Sequence, residues 1–280
     1  MKIGVHPSNL HLRLAQVWPK AFEALDPVFV EYGEGRDTAD LIARKSIDFG
    51  GTGSTPPIVA EASGRPVSYI AASAARPGNG AIVVTRGGAV KDASDLKGKR
   101  IALVDGSFQT YLLAKILEEA GLGLPDVIRI ETGGPAGFKA LENGAVDAWL
   151  SMAPQLEKAE RHEGFQILAR CGSTIPNRSV FWTLAEQPVA QEASDYIVNE
   201  LSRIGREVMA DPAKAAKLLV KTGAGDAELA DWEAIVRSRD FTIVAADETI
   251  LAEQQAEADT LTRHGFFDAP VSASRVAERA

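Results

Sequence analysis

The chain has 280 residues, of which 45% are hydrophobic and 24% charged, a composition typical of a globular protein with one large domain or two ordinary ones. Its formal net charge of -8 argues against a nucleic-acid partner, because binding to phosphate backbones depends on basic residues. The single cysteine, Cys171, excludes an internal disulfide and a multi-cysteine metal site. No apolar run in the sequence approaches the roughly 20 residues of a membrane helix.

Strands and helices are predicted to alternate from residue 2 to residue 72. Asp37 is a plausible N-cap of the second helix, and Gly64 ends the third. Strands separated by helices indicate a largely parallel, doubly wound sheet and an α/β fold class. The predicted strands are Lys2–Val5, Val28–Tyr32, Ile47–Phe49 and Val67–Ala72. The predicted helices are His11–Ala24, Thr38–Lys45 and Pro56–Ala62, and the first of them is expected to bend or start at Pro19.

The sequence contains an internal echo of this plan. Lys2–Val5, with the polar loop and helix that follow, resembles Arg100–Leu103 with its own loop and a predicted helix over Tyr111–Ala120. The run Ala43–Phe49 resembles Leu141–Ala148. The two matches have nearly the same offset, 98 residues from Ile3 to Ile101 and 99 from Asp48 to Asp147. They indicate two lobes with one strand–helix plan, although short patterns also recur by chance.

The second half of the chain is predicted to be mainly helical, with Gly and Pro between amphipathic segments. A strand over Asn177–Leu184 is predicted to return between the lobes. We therefore predict a discontinuous lobe 1, residues 1–84 and 179–280, and a lobe 2, residues 85–178. The predicted helices of this half are Gln191–Met209, Ala213–Leu219 and Glu248–His264.

Four loops follow strands and precede helices, where open α/β sheets bind ligands. They are His6–Asn9, Gly50–Pro57, Asp105–Thr110 and Thr132–Gly137. The second loop combines glycine amides, hydroxyls and a helix start with Thr55 as predicted N-cap, which suits an anion but also fits an ordinary turn. The fourth, which precedes a predicted helix over Phe138–Glu142, lacks the Lys and Ser/Thr of a Walker motif, so nucleotide binding is unsupported.

Catalytic residues are not evident, and we predict that the protein is not an enzyme and needs no cofactor or metal. Cys171 follows an apolar strand over Phe165–Ala169, which favours a structural thiol. His6 could act as a base toward Ser8, but no orienting carboxylate is adjacent. The four histidines form no ligand cluster for a metal.

Several segments resemble substrate-binding proteins of the aliphatic-sulfonate, taurine and nitrate class of ABC importers. The longest match is the run Ile47–Pro57, and further matches are Asp95–Ala102, Gly106-Ser107, Tyr111–Leu113, Gly144–Trp149, Thr242–Val244, Gln254–Asp259 and Gly265-Phe266. The resemblance covers nearly the whole chain in the right order. It departs at Met152-Ala153-Pro154, where sulfonate binders commonly have Trp-Asp-Pro.

The resemblance implies a type II periplasmic binding protein fold, two doubly wound α/β lobes with a ligand cleft between them that closes by a hinge. It implies a small organic anion as ligand, sulfonate or sulfonate-like first, and an ABC permease as partner, with no membrane insertion of the chain itself. The ligand-binding residues carried over are Ser8, Asn9, Thr52, Ser54, Thr55, Ser107, Phe108, Gln109, Asn177 and Arg178.

The same fold also hosts cytosolic enzymes, so a cytosolic enzyme or ligand sensor is the alternative hypothesis. One such enzyme, an aromatic sulfinate desulfinase, uses a nucleophilic cysteine in the first-strand loop, where this sequence has Pro7-Ser8-Asn9. We expect a periplasmic location if a leader is removed upstream of Met1, and a cytoplasmic one if Met1 is the native start.

Overall fold

The computed structural model describes residues 1–223 and 227–273, which form two compact units. Among the described residues, the first unit contains Met1–Ala75, residues 178–223 and 227–256, and residues 271–273, and the second contains Arg76–Asn177 and Glu257–Pro270. The sequence places the division at residues 84 and 178. In the described residues, no helix combines the length and the apolar character needed to cross a membrane.

Strands and helices alternate through both units, as predicted. In chain order the strands are β1 (Lys2–Val5), β2 (Val28–Glu31), β3 (Phe49–Thr52), β4 (Val67–Ser73), β5 (Ala81–Thr85), β6 (Arg100–Leu103), β7 (Ile128–Glu131), β8 (Ala148–Ser151), β9 (Phe165–Arg170), β10 (Val180–Leu184) and β11 (Ile243–Ala245). The helices are α1 (Leu10–Ala15), α2 (Thr38–Ala43), α3 (Thr55–Ala62), α4 (Phe108–Glu119), α5 (Gly134–Glu142), α6 (Gln155–Arg161), α7 (Gln191–Ala210), α8 (Pro212–Lys221), α9 (Leu229–Arg237) and α10 (Glu248–Arg263).

Each unit is built on one sheet. The first unit has the six-stranded order β11-β4-β10-β3-β1-β2, in which β1 to β4 are parallel and the returning strands β10 and β11 are antiparallel to them. The second unit has the five-stranded order β7-β6-β8-β5-β9, with β5 antiparallel to its neighbours. The mixed α/β architecture agrees with the predicted fold class.

The internal echo of the sequence is a structural repeat. In the first unit the carboxylate of Asp48 accepts the backbone N–H of Lys2 at 2.7 Å, and Asp48 N–H donates to the Lys2 carbonyl at 2.8 Å. In the second unit Asp147 and Arg100 form the same two bonds, both at 2.8 Å. The aspartate after each repeated helix therefore joins the start of β1 to the start of β3 in the first unit, and the start of β6 to the start of β8 in the second.

Strand β3 begins and ends later than predicted. The sequence places the strand at Ile47–Phe49 and the glycines Gly50 and Gly51 in a loop, whereas both glycines lie inside β3. A Cβ on Gly51 would lie 2.9 Å from both Leu12 and Phe181, so only glycine lets these side chains approach the sheet so closely. The glycine run is thus a packing feature of a strand.

The helix predicted over His11–Ala24, with a bend or start at Pro19, is wrong beyond Ala15, where α1 ends. Pro19 has no N–H to donate, and it disfavours the helical conformation of Trp18. The chain then continues through tighter i to i−3 turns, and Phe22 adopts the left-handed conformation with φ of 57°. Helices α4 and α5 begin earlier than predicted, whereas α7, α8 and α10 agree closely with the sequence.

Candidate ligand-binding site

In the first unit, the carboxyl ends of β1, β3 and β4 meet at one edge of the sheet. Val180 at the start of β10 pairs with both Thr52 and Ala72, which places the beginning of β10 at this edge as well. The loops that carry predicted ligand residues therefore converge on it from three strands. The predicted residues of this edge are Ser8, Asn9, Thr52, Ser54, Thr55 and Arg178.

Asn9 is the most informative of these residues. It is 1% exposed, and its side-chain oxygen caps α1 by accepting the N–H of Leu12 at 3.1 Å. Its Nδ2 donor is buried and has no hydrogen-bond partner within the described part of the chain. The amide nitrogen lies over Gly51, since a Cβ at that glycine would overlap it. Ser8 precedes Asn9 in a turn closed by a 3.0 Å bond from Asn9 N–H to the His6 carbonyl.

Thr52 and Ser54 differ in what their hydroxyls do. Thr52 Oγ1 accepts a 2.9 Å hydrogen bond from Trp182 Nε1 and donates a 2.8 Å hydrogen bond to the Gly53 carbonyl. The Thr52 hydroxyl therefore already donates and accepts hydrogen bonds within the protein. Ser54 is the N-cap of α3, one residue before the predicted Thr55, and its side chain forms no capping bond within residues 1–223 and 227–273. Of the two, Ser54 has the hydroxyl better suited to a ligand.

Arg178 precedes β10 and is engaged by the first unit. Its Nε and Nη2 atoms bond the two carboxylate oxygens of Glu253 at 2.6 and 2.9 Å, and Nη1 donates to the Ser73 carbonyl at 2.9 Å. This bidentate pair neutralises the arginine and fixes its plane. The geometry supports a positioning role for Arg178 at the point where the chain enters β10.

In the second unit, the loop after β6 is held by its own side chains. Ser107 caps α4, donates to the Val104 carbonyl at 2.6 Å and accepts the Gln109 N–H at 3.2 Å. The Gln109 side-chain oxygen accepts the Val104 N–H at 2.7 Å. Phe108 is 5% exposed and belongs to the hydrophobic core beside Cys171. These contacts shape the loop, and they support packing as the role of the Phe108 ring.

Asn177 ends the longer stretch of the second unit and binds a residue that sequence reasoning missed. Arg76 donates from Nε to the Asn177 carbonyl at 2.7 Å and from Nη2 to the Asn177 side chain at 3.2 Å. Arg76 is only 7% exposed, so the second unit buries a guanidinium charge at this position. Neither a motif nor periodicity marks Arg76 in the sequence, because its importance arises from a contact across 101 residues.

The candidate catalytic groups lack the required protonation behaviour. Burial lowers the pKa of His6 to about 4, opposed by a hydrogen bond with the Gly33 backbone, so His6 is neutral and weakly basic near pH 7. Burial raises the pKa of Cys171 to about 12, against the charge of Arg76 and a hydrogen bond from Asn177. Since the thiolate is the nucleophilic form, Cys171 is unreactive here.

Metal binding finds no support in this part of the structure. Among residues 1–223 and 227–273, no group of three or more His, Cys, Asp or Glu side chains is arranged to hold a metal ion. Ser54 and Asn9, the two first-unit side chains best placed for a ligand, present uncharged groups that can donate hydrogen bonds. Such groups suit an oxygen-rich anion more than a cation.

Comparison with known proteins agrees with this chemistry. The chain is 28% identical over 205 residues to an Escherichia coli protein named as an aliphatic sulfonates-binding protein, an alignment that covers 72% of this chain and 64% of that protein. Less than two thirds of the relative's length is therefore matched. This curated relative is a binding protein rather than an enzyme.

Solved structures share the fold. The alkanesulfonate-binding protein SsuA from Xanthomonas axonopodis pv. citri bound to MOPS has a TM-score of 0.85 at 23% identity, with 99% of this chain and 98% of that chain covered. The desulfurization enzyme DSZB has a TM-score of 0.67 at 16% identity, with 98% and 94% covered. At these identities the likeness establishes the fold alone, and one fold serves a binding protein and an enzyme.

The family model described as NMT1/THI5 like matches residues 22–170, which is more than half of the chain. The match runs from the segment before β2 to the end of β9 and includes both aspartates of the structural repeat. Because this match spans more than half of the chain, the chain belongs to the NMT1/THI5-like family.

Proposed function

We propose that this protein is the solute-binding component of an ABC importer and that its ligand is a small organic anion, with sulfonates as the first candidates. The named relative binds aliphatic sulfonates, and the fold neighbour is an alkanesulfonate-binding protein bound to MOPS, which is itself a sulfonate. An importer permease as partner and a location outside the cytoplasm belong to the same proposal. Closure of two lobes over the ligand stays a prediction.

The observation that carries the proposal is the buried donor of Asn9. Burying an amide N–H₂ without an acceptor costs free energy, and an anionic ligand oxygen would offset that cost. The N-terminus of α3 adds the positive end of a helix dipole at the same sheet edge, and Ser54 adds a hydroxyl. These three features favour negative charge without any fixed cation.

An enzymatic function is the second candidate, because a desulfurization enzyme has this fold. The side chains argue against it. The thiol of Cys171 is fully buried, with a pKa near 12, and lies next to the core of the second unit. The first-strand loop contains Ser8, whose neighbour His6 has a pKa near 4 and is a weak base. We therefore favour binding without turnover.

Isothermal titration calorimetry with MOPS, methanesulfonate and the corresponding carboxylates tests the proposal. Asn9→Ser is the sharpest variant, because serine caps helices as well as asparagine does but removes the buried N–H₂ donor. We expect Asn9→Ser to melt near the wild-type temperature and to bind the preferred sulfonate about tenfold more weakly, the loss expected for a hydrogen bond to a charged group. Ser54→Ala and Thr55→Ala are expected to weaken binding in the same direction.

The matched control is Asn143→Ser, an exposed asparagine whose oxygen accepts the Ala145 N–H at the end of α5. It should leave sulfonate affinity unchanged. Equal affinity in wild type and Asn9→Ser would remove Asn9 from the ligand site. Absence of binding to every sulfonate, or steady conversion of a bound sulfonate to product, would overturn the proposed function.

A further inference from the structure

Ser151, the last residue of β8, presents a buried hydroxyl. The residue is 2% exposed, and its Oγ has no hydrogen-bond partner among the residues that the structure describes. Buried hydroxyls are almost always hydrogen-bonded, because leaving one unpaired costs the desolvation free energy of the group. An unpaired hydroxyl at the carboxyl end of a strand therefore calls for a function.

The pleat of β8 shows which way Ser151 points. Side chains alternate along a strand, so Ser151 and Trp149 share one face, and Ala81 directly opposite Ser151 lies on that face too. Trp149 and Ala81 belong to the hydrophobic cluster that packs against α5 and α6. The Trp149 indole lies against Gly137 of α5, where a Cβ would overlap it. Ser151 therefore faces α5.

The start of α5 lies level with Ser151. Helix α5 follows β7, which is parallel to β8 through β6, so α5 begins at the edge where β8 ends and runs back over the sheet. Two residues of strand, from Trp149 to Ser151, span about 6.6 Å. One helical turn back from Gly137 to Gly133 spans about 6 Å. Measured along β8, the Ser151 hydroxyl and the first turn of α5 therefore lie at the same level.

The first turn of α5 is open and has two amides without an acceptor inside the helix. Its N-cap is Gly133, which has no side chain to cap the helix, and Gly134 follows with φ of 53°. A Cβ on Gly134 would have no atom within 4 Å in the described structure, so space is available beside it. The N–H groups of Gly134 and Ala136 have no acceptor inside the helix, and Pro135 has no N–H at all.

The structural repeat gives Gly134 and Ser151 equivalents in the first unit, where the surroundings of the hydroxyl differ. Gly134 and Ser151 stand 99 residues after Gly35 and Thr52, the same offset as the repeated aspartates. In the first unit a Cβ on Gly35 would lie 3.5 Å from the Thr52 methyl group, whereas a Cβ on Gly134 would have no described atom within 4 Å, so the space beside the glycine is filled in the first unit and open in the second. The Thr52 hydroxyl accepts a bond from Trp182, whereas the Ser151 hydroxyl has no such bond from the described residues.

We propose that Ser151 and the first turn of α5 form an anion-binding site of the second unit, which holds one compact oxyanion group such as a sulfonate or sulfate. The Ser151 O–H and the amides of Gly134 and Ala136 donate to its oxygens, and the helix dipole stabilises its charge. The inference deepens the proposed function, on which its assignment to the transported anion depends. It adds Ser151, which is not among the ligand-binding residues carried over from the resemblance.

Nuclear magnetic resonance of the full chain labelled with ¹⁵N tests the site, with sodium sulfate and MOPS as separate probes. We expect the Gly134 and Ala136 amide resonances to move on titration, and Ser151→Ala to raise the dissociation constant about tenfold. Ala136→Pro deletes one donor and creates a Pro-Pro start like the Pro56-Pro57 pair in the first turn of α3. It should also weaken binding, whereas Ala136→Ser and the exposed Ser94→Ala should not.

The outcomes separate this site from the proposed function. If MOPS binds in an Asn9-dependent way but the Gly134 and Ala136 amides stay still and Ser151→Ala keeps full affinity, this inference fails and the function stands. If sulfate moves these amides while no organic sulfonate binds, the site stands and the function fails. A Ser151→Ala variant that melts lower yet binds normally would assign the hydroxyl to the fold and overturn the site.

Discussion

Replacing Gly51 with alanine tests the close packing that brings Asn9 to the sheet. The new Cβ would lie 2.9 Å from both Leu12 and Phe181 and would overlap the Asn9 amide nitrogen. Real Cβ atoms do not approach carbon atoms so closely, so these side chains must shift. Overpacking of this kind typically costs about 1–3 kcal/mol, and displacement of the Asn9 donor adds a loss of ligand affinity.

Urea unfolding gives the stability change, and calorimetry with MOPS gives the affinity. The control is Gly53→Ala in the same loop, since a Cβ there meets no atom within 4 Å among the described residues and its φ lies outside the left-handed range. We expect Gly53→Ala to resemble wild type and Gly51→Ala to lose both stability and binding. Equal unfolding midpoints for the two variants would refute the packing argument.

Two further predictions concern titratable groups. Because burial lowers the pKa of His6 to about 4, the unfolded chain takes up a proton first as the pH falls from about 6.5, and stability should fall by about 3 kcal/mol between pH 6.5 and 4. Urea unfolding at several pH values should show a smaller loss in His6→Gln. Because the pKa of Cys171 is near 12, iodoacetamide at pH 8 should label the thiol only after the protein unfolds. The Cys171→Ser variant should keep the wild-type affinity for MOPS. Rapid labelling of the folded protein would contradict the interpretation of Cys171 as a buried, unreactive thiol.

The sequence predicts the repeated elements well, because their signals are local. Strand β1 has the predicted bounds, and the Asp48 and Asp147 matches correspond to identical backbone bonds in the structure. The helix breaks at Gly64 and at Pro212 likewise follow from residues that cannot continue a helix. Local chemistry was sufficient for these parts of the fold.

Errors arise where a distant contact decides the conformation. Gly50 and Gly51 are typical of a loop, yet both lie inside β3, and side chains from α1 and β10 leave room only for glycine at position 51. The same holds for the candidate site. Asn9 was predicted from resemblance, but its unpaired donor and the hydroxyl of Ser151 depend on burial, and the Arg76 contact depends on a residue 101 positions away. Such features are tertiary and have no local signature.

The topology also sets an order in which the chain can become native. Strand β10 lies between β3 and β4, so the first sheet cannot close until the ribosome has made residue 184. The core of the second unit includes Leu261, at the end of α10, although most of that unit is complete by Asn177. Long-range contacts of this kind slow folding and leave apolar surface exposed in the meantime. Nascent chains that end before Leu261 therefore present an unfinished core in the second unit.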